Sequence, residues 1–188
     1  MRFARLSVLI TTLLASSALL GACGDDPLFP DVALTTDTVT LTVPGAEAAS
    51  ALDLVRIQPP FVLLRRPELV RDAGEWDIAL RRTGAGLTLR PYDAPGSPYR
   101  GAGLVVATQD YDRIREAPRA TSAYAADPLA VSANSVYFFR SRQYPTSTGS
   151  LCVKFAKARI LAMDAAAGTA RVALVINDNC EDERLEDD

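Results

Sequence analysis

Val153-Lys154-Phe155-Ala156-Lys157-Ala158-Arg159-Ile160-Leu161-Ala162-Met163 and Thr169-Ala170-Arg171-Val172-Ala173-Leu174-Val175-Ile176-Asn177 flank the short linker Asp164-Ala165-Ala166-Ala167-Gly168. Both runs have strand length, and the glycine-ended linker reads as the turn of an antiparallel hairpin. One register sets Ala156 against Ile176, Ala158 against Leu174, Ile160 against Val172 and Ala162 against Ala170. A strand's period of two puts all of these on one face, mostly small against large, as a buried sheet face requires. The opposite face carries Lys157, Arg159, Arg171, Asn177 and Asn179 and is the wetter one, interrupted by Phe155, Leu161 and Val175. The same register brings Cys152 opposite Cys180 and Lys154 opposite Asp178, and a slip of one residue would separate the cysteines. A Cys152–Cys180 disulfide is therefore expected.

Outward from the hairpin, the chain is a series of short apolar or β-branched runs between turn residues: 38–43, 54–57, 61–65, 76–82, 87–90, 103–108 and 136–142. This spacing predicts an all-β fold of antiparallel sheets in a sandwich-like arrangement. One brief helix is expected near 110–117, ended by Pro118. Residues 91–101, with three prolines, 118–133 and 144–150 read as loops, the places where a β scaffold carries its binding surfaces.

The N-terminus has a different character. Met1-Arg2-Phe3-Ala4-Arg5 is basic, and an apolar, small-residue run follows from Leu6 to Leu20, the pattern of a signal peptide. It ends in Leu20-Gly21-Ala22-Cys23, which resembles the bacterial lipobox, whose cysteine receives lipid before cleavage ahead of it. The expected organisation is a signal peptide over 1–22, lipidated Cys23 and a flexible tether over 23–37, an all-β domain over 38–180 and a solvated acidic tail over 181–188. Acylation of Cys23 by several chains, palmitate among them, would anchor the domain stably. The expected location is the bacterial envelope, at the outer membrane or cell surface.

Removing 22 of the 188 residues leaves 166, enough for one domain with a sizeable core. That mature chain holds 18 basic and 23 acidic residues, a net charge of −5, which disfavours nucleic acid as a partner. The chain contains no histidine, so the commonest general base and metal ligand is missing, and no phosphate-binding glycine loop is present. The acidic run after Cys180 lacks the alternation of a calcium loop. No catalytic residues, no metal site and no enzyme activity are expected.

Three segments together resemble the HmuY-like family of haem-binding lipoproteins. They are Glu75-Trp76-Asp77-Ile78-Ala79-Leu80-Arg81-Arg82, Asn134-Ser135-Val136-Tyr137-Phe138-Phe139-Arg140, and the run from Val153 to Leu161. The resemblance spans about residues 50–180 and implies an all-β fold, an outer-membrane or surface location and, in haem-binding members, two axial histidines. This sequence has none; the loop upstream of Val136, where one would fall, reads Tyr124-Ala125-Ala126-Asp127-Pro128-Leu129. Substitute iron ligands would be Met163, the one methionine of the mature chain, or the loop tyrosines Tyr92, Tyr99, Tyr124 and Tyr144. Arg140 and Arg142, two residues apart on a strand face, would pair with haem propionates or another carboxylate ligand. The expectation is a ligand-binding lipoprotein without a resident cofactor, haem being the ligand the family names. The alternative is a structural or interaction lipoprotein whose partner is another envelope protein.

Overall fold

The computed structural model describes residues 33–45 and 47–186. The expected signal peptide, Cys23 and the expected tether as far as residue 32 lie outside the described residues. The fold is all-β. Sheet one has the order β1 (Leu34–Thr42), β12 (Thr169–Asn177), β11 (Phe155–Asp164), β8 (Val136–Arg140) and β6 (Gly103–Val106). Sheet two has the order β3 (Phe61–Arg65), β2 (Ala51–Gln58), β4 (Ile78–Thr83), β5 (Gly86–Pro91) and β7 (Leu129–Ala130), and a two-stranded ribbon joins β9 (Tyr144–Pro145) to β10 (Leu151–Cys152). All described pairings are antiparallel.

The hairpin face read from the sequence forms the core. Ala156, Ala158, Ile160, Val172, Leu174 and Ile176 are fully buried and pack with Leu52, Leu54, Ile78, Leu80 and Leu89 of sheet two. This shared cluster is what makes two sheets a sandwich, because each buries its apolar face on the other. Pairing follows the expected register from Ala156↔Ile176 to Ile160↔Val172, then slips by one residue: Ala162 faces Arg171, and Met163 faces Ala170. A bulge at Leu161 causes the slip and replaces the expected Ala162/Ala170 pair. Ile160-Leu161-Ala162-Met163 is apolar at every position, so no polar side chain marks which residue drops out of the ladder.

The predicted disulfide is present, Cys152 and Cys180 having Cα atoms 5.3 Å apart, and Lys154 Nζ lies 3.2 Å from Asp178 Oδ1. The expected wet face is only partly wet. Lys157 is buried and donates to the Ile114 carbonyl at 2.8 Å, and Asn177 is fully buried and donates through Nδ2 to the Arg184 carbonyl at 2.8 Å.

Both partners of that face were read as unstructured or helical. The expected helix near 110–117 is reduced to a 3-10 turn, Tyr111–Arg113, and the rest of the segment is extended cover for sheet one. The expected acidic tail is no free tail over 181–186. Ala117 N–H donates to the Glu183 carbonyl at 2.8 Å and Leu185 N–H to the Arg115 carbonyl at 2.6 Å. Leu185 is 1% exposed in a second apolar cluster with Ile114, Tyr124, Phe138 and Phe155. The counter-charge that an acidic run needs comes from Arg115 on Glu186, Arg119 on Glu183 and Arg184 on Asp182. The hydrogen bond from Arg184 holds the Asp182 carboxyl down at about 2.

Two smaller boundaries also differ. β1 begins at Leu34, so 34–37, expected in the tether, are sheet residues; Thr35 is buried and donates to Asp178. The expected loop over 118–133 contains β7, which completes the edge of sheet two. Among the described residues no helix is long and apolar enough to cross a membrane.

Candidate functional site

β2 is broken in its middle. Asp53 pairs with Leu63 and Ile57 with Val62, so Leu54, Val55 and Arg56 have no partners on β3. Their backbone N–H groups still require acceptors, because a buried unpaired donor costs free energy comparable to a lost hydrogen bond. Two carboxylates supply them. Asp77 Oδ2 accepts from Leu54 N–H at 2.6 Å, and Asp53 Oδ1 accepts from the N–H groups of Val55 and Arg56, both at 3.2 Å.

Both carboxylates are fully buried, and Arg142 is their shared counter-ion. Its Nη1 donates to Asp77 Oδ2 at 3.0 Å, its Nη2 to Asp53 Oδ1 at 3.2 Å, and its backbone N–H to Asp77 Oδ1 at 2.7 Å. Arg65 donates to Asp53 Oδ2 from Nε at 3.1 Å and from Nη2 at 2.7 Å. Glu75 adds a third carboxylate, 2.7 Å from Arg56 and 3.6 Å from Arg142. Burial pushes the Asp77 carboxyl up to about 6, opposed by the Arg142 charge and assisted by Asp53. Desolvation pulls Arg142 down, but Asp77, Asp53 and Glu75 outweigh it and hold the guanidinium above its ordinary value. At neutral pH the Asp77 carboxyl is thus mostly ionised beside the Arg142 guanidinium, and it takes up a proton as the pH falls through about 6.

Arg142 and Glu75 of this cluster also line a surface groove of about 400 Å³, together with Arg56 from the looped-out part of β2 and with Tyr92, Tyr99 and Tyr144. Tyr92 is held by Trp76, ring centroids 5.1 Å apart at 67°, an edge-to-face contact. It also lies against Gly74, where a Cβ would come within 3.2 Å of the Tyr92 hydroxyl and where φ is +78°. Among the described residues no hydrogen-bond partner engages the hydroxyls of Tyr92, Tyr99 or Tyr144, whereas buried Tyr124 and Tyr137 donate to the carbonyls of Pro118 and Ala130. Glu75 Oε2 is shielded from solvent and, despite its two ion pairs, makes no hydrogen bond of good geometry.

The residues singled out from the sequence do not assemble into one site. Tyr144 and Arg142 share the groove. Tyr124 is buried in the second cluster under sheet one, its ring tilted against Phe155, and burial pushes its phenol well above the ordinary value. Met163 is half-buried at the end of the hairpin and packs on the main core. Arg140 and Arg142 do not share a solvated face: β8 ends at Arg140, which is buried, donates to the Gly101 carbonyl at 3.0 Å and lies over the Tyr124 ring. Arg142 turns instead to the carboxylates of the opposite sheet, so its charge is already matched internally. Asp53, Asp77 and Glu75 were not singled out. The signal for Asp53 and Asp77 was an acid wedged between residues destined for the core, in Leu52-Asp53-Leu54 and Trp76-Asp77-Ile78, whereas Glu75 after Gly74 carried none.

A larger opening of about 690 Å³ lies between β6 and residues 113–118. Its wall includes Arg113 and Arg115, whose side chains are mostly exposed and held only by surface ion pairs, which fix side chains weakly. Among the described residues no three His, Cys, Asp or Glu side chains converge as metal ligands. Compared with known proteins, the chain matches no family, no curated protein and no solved structure.

Proposed function

We propose that this chain is an envelope lipoprotein, anchored through lipid on Cys23, whose β-sandwich is a ligand-binding module and not an enzyme. The anchor rests on the basic and apolar N-terminus ending in Leu20-Gly21-Ala22-Cys23. The observation that carries the binding reading is the groove: Tyr92, Tyr99 and Tyr144 line it together with Arg142, whose guanidinium is fixed by buried hydrogen bonds. Such a site is largely preformed, and binding costs less where side chains are already ordered. The HmuY-like segments support a binding ancestor, but haem is a poor fit. Of the iron-ligand candidates, Met163 and Tyr124 pack away from the groove, which leaves only the phenols of Tyr92, Tyr99 and Tyr144, and Arg142 is committed to Asp53 and Asp77.

The test is NMR of protein with labelled tyrosine rings, mixed with a low-molecular-mass extract of the producing cell's envelope. The signals of Tyr92, Tyr99 and Tyr144 are expected to shift while those of Tyr111 and Tyr137 stay. Unchanged groove signals would favour the alternative, an interaction lipoprotein that binds another envelope protein.

A further inference from the structure

We infer that the groove takes a neutral, polyhydroxylated ligand, a glycan, in preference to an anion or an organic cation. This rests on the binding-module reading and names the chemistry of its ligand. The charges set the first limit. Arg142 is matched by Asp77, Asp53 and Glu75, and Arg56 by Glu75, so no guanidinium in the wall is left to attract a phosphate or a carboxylate. The same pairs leave no carboxylate free to hold an organic cation, because Glu75 is taken by Arg56 and Arg142. A neutral ligand needs neither counter-charge.

The hydrogen-bonding groups set the second limit. Three phenol hydroxyls both donate and accept, and the Gln143 amide and the Glu75 carboxylate line the same groove. Ring faces interleaved with such groups suit a pyranose, which has an apolar C–H face and a rim of hydroxyls. The groove is open to solvent and about 400 Å³ in volume, room for a short segment of a longer chain and not an enclosure for a flat macrocycle.

The molecule carries its own reporter. Trp76 is the sole tryptophan of the chain and touches Tyr92, so occupancy of the groove should alter its emission. The detergent-solubilised lipoprotein would be titrated with cellotriose, maltotriose and chitotriose at millimolar concentrations, with haemin, inorganic phosphate and tetramethylammonium as comparison probes. At least one saccharide is expected to give a saturable emission change. Tyr99→Ala and Tyr144→Ala should each weaken it by about fivefold or more, the factor that loss of one aromatic contact implies. Phe61→Ala, on the edge strand β3, should leave it unchanged. Binding of a comparison probe with that tyrosine dependence, and of no saccharide, would overturn the glycan assignment and leave the groove as the binding site. A saccharide response that survives both tyrosine substitutions would overturn the groove itself.

Discussion

Arg142 and Asp77 meet twice: the arginine's backbone N–H donates to Oδ1 at 2.7 Å and its guanidinium to Oδ2 at 3.0 Å. They lie 65 residues apart in the chain, and their contact ties the end of β8 to the start of β4 across the sandwich. With Asp53 it also stands in for the ladder bonds that β2 loses at 54–56. Buried ion pairs are not in general a source of net stability, but removing one partner strands the other's charge in the interior. Arg142→Met should therefore cost about 3–5 kcal/mol of unfolding free energy, the range for an orphaned buried charge. Urea denaturation measures it; a loss below about 1 kcal/mol, as for surface pairs, would mean that the carboxylates find other counter-ions.

The same cluster predicts the pH dependence. The Asp77 carboxyl titrates at about 6 when folded, above its ordinary 3.8 when unfolded, so its contribution to stability is complete below about 4 and is lost as pH rises through 6. Acidification from neutral pH to 5 should raise the unfolding free energy by about 1 kcal/mol. Asp182 works in the opposite sense: its folded value of about 2 gives stability present above 4 and lost as pH falls towards 2. Denaturation at several pH values should show a maximum near 4. In Asp77→Asn the limb between 7 and 5 should flatten, and its persistence there would assign it to another group.

The C-terminal segment should behave as part of the domain. Leu185→Ala removes a fully buried side chain and should cost about 2–4 kcal/mol, as core truncations of leucine do. Reduction of Cys152–Cys180, which closes a loop with a sequence separation of 28, should cost about 3 kcal/mol on the loop-closure argument. Thermal melts of the wild type, of the variant and of reduced protein would show both. A Leu185→Ala protein as stable as the wild type would return 181–186 to the status of a solvated tail.

Haemin offers a sharp negative. Without histidine, and with Met163 packed on the main core, neither a bis-His, a His/Met nor a bis-Met site can be built within one chain, and only phenols face the groove. Titration should give weak, broad absorbance changes insensitive to Met163→Ala. A sharp low-spin spectrum with one-to-one binding would contradict this.

What the sequence disclosed and what it hid divide along physical lines. The pairing of β11 with β12 was legible because Ala156, Ala158, Ile160, Val172, Leu174 and Ile176 repeat every second residue, which selects a face, and because Cys152 and Cys180 fall opposite each other in the register that face allows. The bulge at Leu161 was hidden because both faces are apolar there. The packing of Leu185 was hidden by the acids around it, whose partners Arg115 and Arg119 lie some 65 residues away. The groove was legible in part, in Tyr92, Tyr99, Tyr144 and Arg142. Asp53, Asp77 and Glu75 join them through pairings between distant strands, and nothing local in the sequence announces that.

The central claim, a lipid-anchored module that holds a ligand in the tyrosine groove, is tested most directly by native mass spectrometry of the protein released from its own envelope in mild detergent. The predicted spectrum shows the chain beginning at an acylated Cys23, with a further non-covalent mass that disappears in the Tyr99→Ala, Tyr144→Ala double variant. A chain without lipid would contradict the anchor. A lipidated chain with no bound mass, identical in the wild type and the double variant, would contradict the module.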